Sequence, residues 1–221
     1  MLDYSKYHPS FEDKVINDGQ KMFELAKKGI NGYFVNIDNN LINVVIEDKY
    51  YNPDGDLKYI MADLGILKLG SIVNFQNNNW IIVELTKDNP IYQTAVMQLC
   101  NATLKWKPTF SSSPLEYPCV AKSKFQFMTL DQQKYITLPD GTIQVIVQLN
   151  VDTKTIVLGQ RFIFGSNVYS VTGIDDFGKQ GLLVLSMKLA QKNDLDDFVN
   201  ILADNSHLFS ASGGTDGGGW L

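Results

Sequence analysis

The sequence predicts a mainly β protein of two related small barrel or sandwich modules, with a helix near each end. Three observations carry that expectation. Leu69–Trp106 alternates apolar and polar residues around two polar turns, Gln76-Asn77-Asn78-Asn79 and Asp88-Asn89-Pro90. These are residues that cap their own backbone and tolerate positive φ, so the stretch reads as a strand–turn–strand–turn–strand meander. Parts of that meander return 89 residues later without a gap: Asp63 on Asp152, Leu69-Gly70 on Leu158-Gly159, Phe75 on Phe164, Asn78 on Asn167, Trp80 on Tyr169. The matched positions share roles, with glycine at a strand entry, asparagine in the turn and a large aromatic after it, which is the mark of an internal repeat. Pro53-Asp54-Gly55 is echoed by Pro139-Asp140-Gly141, three residues out of that register. Third, strand-like runs bounded by turn residues dominate the chain between its two helical patterns.

Taken in order, residues 1–31 form an N-terminal helical segment. Ser10 can cap a helix from Phe11 to about Lys28, with Asp13 three residues on and Gly29 as the stop. Phe11, Val15, Met22 and Ala26 fall on one face and are the expected contact stripe. Such a helix is either a lid on a sheet or a surface offered to a neighbour. Residues 32–121 make the first module, with strands at Tyr33–Ile37, Leu41–Glu47, Lys58–Ala62, Ser71–Phe75, Trp80–Leu85 and a long one over Tyr92–Trp106. KPTFSSSPL at Lys107–Leu115 reads as a loop, and Tyr117–Ala121 pairs back on Trp106, so Trp106–Tyr117 is expected to project as a hairpin arm. Residues 122–204 make the second module, with strands at Ile143–Leu149, Arg161–Phe164, Val168–Ile174 and Leu182–Lys188. Asn193–Ala203 is its expected closing helix, with Leu195, Phe198, Val199 and Leu202 as the stripe. Residues 205–221 form a flexible glycine-rich tail ending in Trp220-Leu221. The pair either belongs to a disordered end or docks in a pocket of another chain.

Composition narrows the function. The 221 residues carry a net charge of -5, and Arg161 is the one arginine among 19 basic residues. A duplex-DNA reader needs a basic face with arginines for bidentate contacts, so that class is disfavoured. No run of about 18 apolar residues is present, so no membrane span is expected. The first residues lack the apolar core of a secretory signal. Cys100 and Cys119 make no disulfide framework, in keeping with a reducing cytoplasm. His8 and His207 have no metal-ligand spacing, and the acidic clusters at Asp54-Gly55-Asp56, Asp175-Asp176 and Asp194–Asp197 read as turns and caps. Neither a phosphate loop nor a nucleophile elbow is present. The expectation is no enzyme, no cofactor and no metal.

Two surfaces stand out. Lys105, Trp106, Lys107, Phe110, Lys122, Lys124 and Phe125 interleave cations and rings around the arm. That pattern suits a single-strand nucleic-acid barrel, with the four lysines as contacts, but the acidic balance of the chain favours an ordinary solvated hairpin with lysines on its outer face. For protein contacts, Trp106, Phe110, Leu115, Trp220 and Leu221 are the candidates.

Three segments, CNATLKW (Cys100–Trp106), YITLPDG (Tyr135–Gly141) and RFIFGSNVYSVTGIDDF (Arg161–Phe177), resemble tailed-bacteriophage virion proteins of the head–tail connector or neck type. The similar proteins come mainly from phages and prophages of Gram-positive hosts, and the resemblance runs from Asp48 to Asp204. It implies a β-rich virion subunit, assembled in the host cytoplasm as a ring of its own copies. Its expected neighbours are portal, neck or tail proteins and packaged DNA in the channel, with no membrane. A tail or baseplate subunit is the nearest alternative.

Overall fold

The computed structural model describes residues 10–49, 55–86, 89–109, 111–123 and 141–209. It divides into two units, Met1–Cys100 with Lys179–Leu182, and Asn101–Gly178 with Leu183–Leu221. The first module comprises β1 (Gly32–Ile37), β2 (Asn40–Asp48), β3 (Leu57–Ala62), β4 (Ile72–Phe75), β5 (Asn78–Leu85) and β6 (Gln93–Leu99). They form a closed antiparallel barrel in the order β1-β2-β3-β6-β5-β4. The second comprises β7 (Ala102–Trp106), β8 (Leu115–Ser123), β9 (Thr142–Gln148), β10 (Arg161–Phe164), β11 (Asn167–Asp175) and β12 (Leu182–Ala190). Its sheet runs β10-β11-β12-β9-β8-β7, which is the first order with every strand advanced by six. The mainly β fold with two barrel-like modules is therefore present.

Register shows how close the two copies are. Val73 pairs with Trp80 and Phe162 with Tyr169, both 89 apart. The ladder slips between Ile82 and Glu84 in one copy and between Val171 and Gly173 in the other, again 89 apart. Gly70 and Gly159 have φ of 81° and 82°, and their N–H groups reach Ile82 O (2.9 Å) and Val171 O (2.8 Å). Just before them, Leu67 and Ile156 are buried at matching positions in the two cores.

The boundary differs from the expected one. Tyr92–Trp106 is not one strand: β6 ends at Leu99, and β7 begins the next sheet. The hairpin of β7 and β8 is not an arm of the first module. Cys119, Val120 and Ala121 pair with Val147, Ile146 and Val145, so the hairpin supplies two of the six strands of the second sheet. A sheet this small needs those strands to bury its inner face, so the hairpin packs into the second sheet rather than projecting from the first.

Helix α1 (Phe11–Ala26) starts where expected: the Asp13 N–H donates to Ser10 Oγ at 3.1 Å. It ends at Ala26, three residues before Gly29. Its orientation reverses the expected stripe. Phe11, Val15 and Met22 are 83%, 49% and 67% exposed, while Phe23 is buried and stacks on Tyr92 at 4.7 Å. Gly19 faces Ile91 so closely that a Cβ there would lie 2.3 Å from Ile91 Cδ1. Lys27 sets the rotation. Its ammonium donates to both Asp63 carboxylate oxygens at 3.0 and 3.1 Å and pairs with Glu24 at 2.6 Å, with only 7% of its side chain exposed. Holding this cation against Asp63 turns the Phe23 edge inward and the Phe11 edge outward.

Trp80 is 4% exposed within the first core, whereas Tyr169 is half-buried at the rim of the second. Replacing Trp80 with Ala should cost about 3–5 kcal/mol in a denaturant titration, and Tyr169→Ala clearly less. Burial pulls the Lys27 pKa down, but the hydrogen bonds and charges of Glu24 and Asp63 outweigh it, and the net direction is up from 10.5. The contribution of Lys27 is then complete below pH 10.5 and fades as pH rises through the raised value. The helical circular dichroism signal should fall in that alkaline range, and Lys27→Met should remove that fall.

Candidate functional site

The candidate site lies in the second module, where its sheet has two edges. In the first barrel β1 and β4 close the ring through Asn36↔Asn74 and Ile37↔Val73. In the second, β7 and β10 are the outer strands of the sheet. Leu104 and Trp106 alternate inward from β7, at 0% and 1% exposure, with Lys105 and Lys107 between and after them. The Trp106 ring meets Phe162 edge-on at 6.1 Å and Tyr117 at 5.7 Å. Side chains thus fill the seam that a backbone ladder fills in the other copy. The Trp106 indole N–H finds no acceptor among the described residues.

The segment after β12 covers the β10 edge, and Arg161 holds it there. The Arg161 N–H donates to Asn205 Oδ1 at 2.6 Å, and Asn205 Nδ2 donates back to Arg161 O at 3.0 Å. One side-chain amide thereby satisfies both backbone groups of an edge residue, as a neighbouring strand would. The guanidinium donates to Asp204 O at 3.2 Å, Gln191 O at 2.8 Å and Asp196 Oδ2 at 2.8 Å. The Asp196 side chain is wholly buried and also accepts the Asn193 and Asp204 N–H groups, at 2.8 and 2.9 Å.

This network replaces the expected helix over Asn193–Ala203. Asp196 and Asp197 take up backbone N–H groups that a helix would use, and Asp197 bridges to Leu202. Leu195 and Val199 of the expected stripe are 72% and 91% exposed. The nearby helix is one short turn, α2 (Ser206–Phe209).

Two hollows adjoin there. One, of about 490 Å³, is bounded by Lys107, Leu195, Asp197, Leu202, Ala203, Asp204, Asn205, Ser206 and Phe209. The other, of about 200 Å³, is bounded by Trp106, Lys107, Pro108, Val157, Gln160 and Leu208 among others. Lys107, Asn205 and Phe209 line both. Asn200 lowers the Asp197 pKa through its side-chain and backbone hydrogen bonds, and the Ser206 N–H does the same for Asp204, so both stay ionised. Burial pushes the Cys100 thiol up to about 12, which leaves it un-ionised and unreactive at neutral pH. Among the described residues, no group of three or more His, Cys, Asp or Glu could hold a metal ion, and no helix is long and apolar enough to cross a membrane.

The residues singled out in the sequence fall apart in space. Trp106 is not a protein interface or a stacking platform: it is core, because its strand position points inward. Leu115 is half-buried against the same core. Lys105 is paired with Glu116 at 2.6 Å, Lys107 lines the hollows, and Lys122 lies on β8 opposite Gln144. Phe110, Lys124, Phe125, Trp220 and Leu221 lie outside the described residues, as do the other residues of 124–140. The sequence reading missed Arg161, Asp196 and Asn205 as a unit; its one visible signal was a lone arginine among lysines.

A duplicated β-barrel protein with a clamped edge is what the described residues build. Residues 6–99 match the YomX N-terminal domain and residues 101–188 the YomX C-terminal domain, so the family boundary falls where the structure divides. The chain is similar to the SPbeta prophage-derived protein YomX of Bacillus subtilis (strain 168), with 26% identity over 212 residues covering 85% of this chain and 97% of the relative. No solved structure matches the chain.

Arg161→Ala leaves the Asp196 carboxylate buried and unpaired, so it should cost about 3–5 kcal/mol. Arg161→Lys keeps the charge but loses the fork that reaches three acceptors. Limited proteolysis should cut both variants within residues 191–209 before the barrels, and the wild type more slowly.

Proposed function

We propose that this protein is a structural component of a tailed-phage virion, of the head–tail connector or neck type, acting as a head-completion, stopper or adaptor ring between portal and tail. The observation that carries the reading is the likeness to a prophage-derived protein along almost the whole of both chains. The architecture supports it: two copies of one barrel, and apolar side chains left uncovered on α1. Phe11, Val15, Met22 and Leu25 are all exposed on that helix, and Ile30 just beyond it is 95% exposed. Burying such a stripe between copies yields roughly 25 cal/mol per Å² of apolar surface, a driving force for assembly. In this reading the protein acts in the virion, contacts its own copies and other neck, portal or tail proteins, and needs no cofactor.

A tail or baseplate position uses the same contacts and differs only in neighbours. The single-strand nucleic-acid reading loses support, because its central ring, Trp106, is buried and Lys105 is paired with Glu116.

The test is assembly. Concentrated protein should give ring particles in negative stain, and antibody should label the neck of induced phage. Val15→Glu with Met22→Glu should abolish the rings while changing monomer stability by only about 0.5 kcal/mol, as expected for exposed positions. Salt-sensitive binding to an oligonucleotide, without rings, would overturn the proposal.

A further inference from the structure

We infer that the exposed stripe of α1 in one copy seats on the Arg161-held segment, residues 193–209, of the next copy, with apolar side chains meeting apolar side chains and lysines beside aspartates. The inference deepens the assembly reading and rests on it: that reading calls for a contact between copies, and two surfaces of the chain have the chemistry to make one. The first is α1. Val15 and Met22 fall at the a positions of a heptad, and Phe11, Asp18 and Leu25 at its d positions. The four apolar members are exposed. Lys14 and Lys21, and Lys28 in the turn that follows the helix, keep the g spacing along one edge of that stripe, and all three are exposed. Asp18 is the one carboxylate in the stripe, and the Lys21 ammonium lies 3.9 Å from it. Lys14 and Lys28 make no ion pair among the described residues.

The second surface is the segment held over the β10 edge. Leu195, Phe198, Val199 and Ile201 are all exposed on it. Leu195 also bounds the larger hollow together with Leu202 and Phe209, which gives a side chain of the helix a place to enter. Charge here has the opposite sign. Arg161 cancels Asp196, and Glu116 takes Lys105. Asp194, Asp197 and Asp204 remain, against Lys107 at the hollow and Lys192 over the Phe198 ring. Two copies of α1, by contrast, are poor partners for each other. Paired in parallel they would set Asp18 against Asp18, and paired antiparallel they would set the lysine rows against each other. The stripe therefore calls for a different surface. A contact between unlike surfaces repeats from copy to copy, and it closes into a ring when the rotation allows.

Mixing two variants of the full chain tests this. Val15→Glu with Met22→Glu spoils the helix surface and leaves the segment. Leu195→Glu with Val199→Glu spoils the segment and leaves the helix. Both pairs change exposed side chains, and unchanged melting temperatures verify folding; Leu195→Ser with Val199→Ser replaces the second pair if glutamate disturbs it. Each variant alone should sediment as a monomer at concentrations where the wild type assembles. Mixed in equal amounts, they should give a two-copy complex and nothing larger, because one intact helix then meets one intact segment. Lys14→Glu with Lys21→Glu, added to the segment variant, should weaken that complex about tenfold. A mixture that stays monomeric would overturn the inference, as would a complex indifferent to the lysine reversals. Rings formed by the segment variant alone would overturn it too, while leaving the assembly reading in place. A two-copy complex from a protein absent from the neck of induced phage would sink the virion reading and leave this contact standing.

Discussion

Each module depends on one turn. The connection into the fourth strand must drop an apolar side chain into the barrel and then reverse at once to start a strand on the wall. Gly70 and Gly159 do this with φ near 80°, where an L side chain would be strained, and their N–H groups bond across to Ile82 and Val171. Leu67 and Ile156, three residues earlier, are thereby held in the cores. The ladder slip two residues later in the opposing strand also recurs, which shows that the turn and the bulge were duplicated as one unit. Without that turn neither the barrel's interior nor the position of β4 and β10 would be defined.

Around this shared device the copies diverge where they needed different attachments. Asp63 and Asp152 are equivalent in sequence, yet Asp63 receives Lys27 and fixes α1, while Asp152 receives the Tyr117 hydroxyl at 2.5 Å and fixes β8. The seam diverges too. Ile37 opposite Val73 leaves room for strands to approach and bond. Trp106 against Phe162 fills the matching place with rings. The module then needs an outside cover for the β10 edge, and the Arg161–Asp196–Asn205 network supplies it.

The legibility of the sequence follows from this division. Local patterns were read correctly: β10 spans Arg161–Phe164 as expected, and the repeat predicted paired positions later seen in register. Errors came where long-range contacts decide. Lys-Trp-Lys looks like a decorated surface, yet alternation on a strand puts Trp106 inside and the lysines outside. Phe11, Val15 and Met22 form a valid stripe, but the buried Lys27, bonded to Asp63 36 residues away, turned the helix over. Over 193–203 the apolar spacing suited a helix, while Asp196 and Asp197 offered the backbone nearer partners. The domain boundary was hidden because β6 and β7 are separated only by Cys100-Asn101.

These exceptions share a consequence for function. A buried lysine holding one helix face inward and a buried arginine holding a chain segment over an edge are both costly ways to orient a surface. Apolar packing alone would have favoured the opposite choice on α1, covering Phe11, Val15 and Met22 and leaving Lys27 in water. The fold instead buries the Lys27 side chain against half-exposed carboxylates and keeps those apolar side chains outside, where they contribute nothing to the isolated barrel. The same arrangement leaves Phe11, Val15 and Met22 open to a neighbour, which is what the proposed assembly uses.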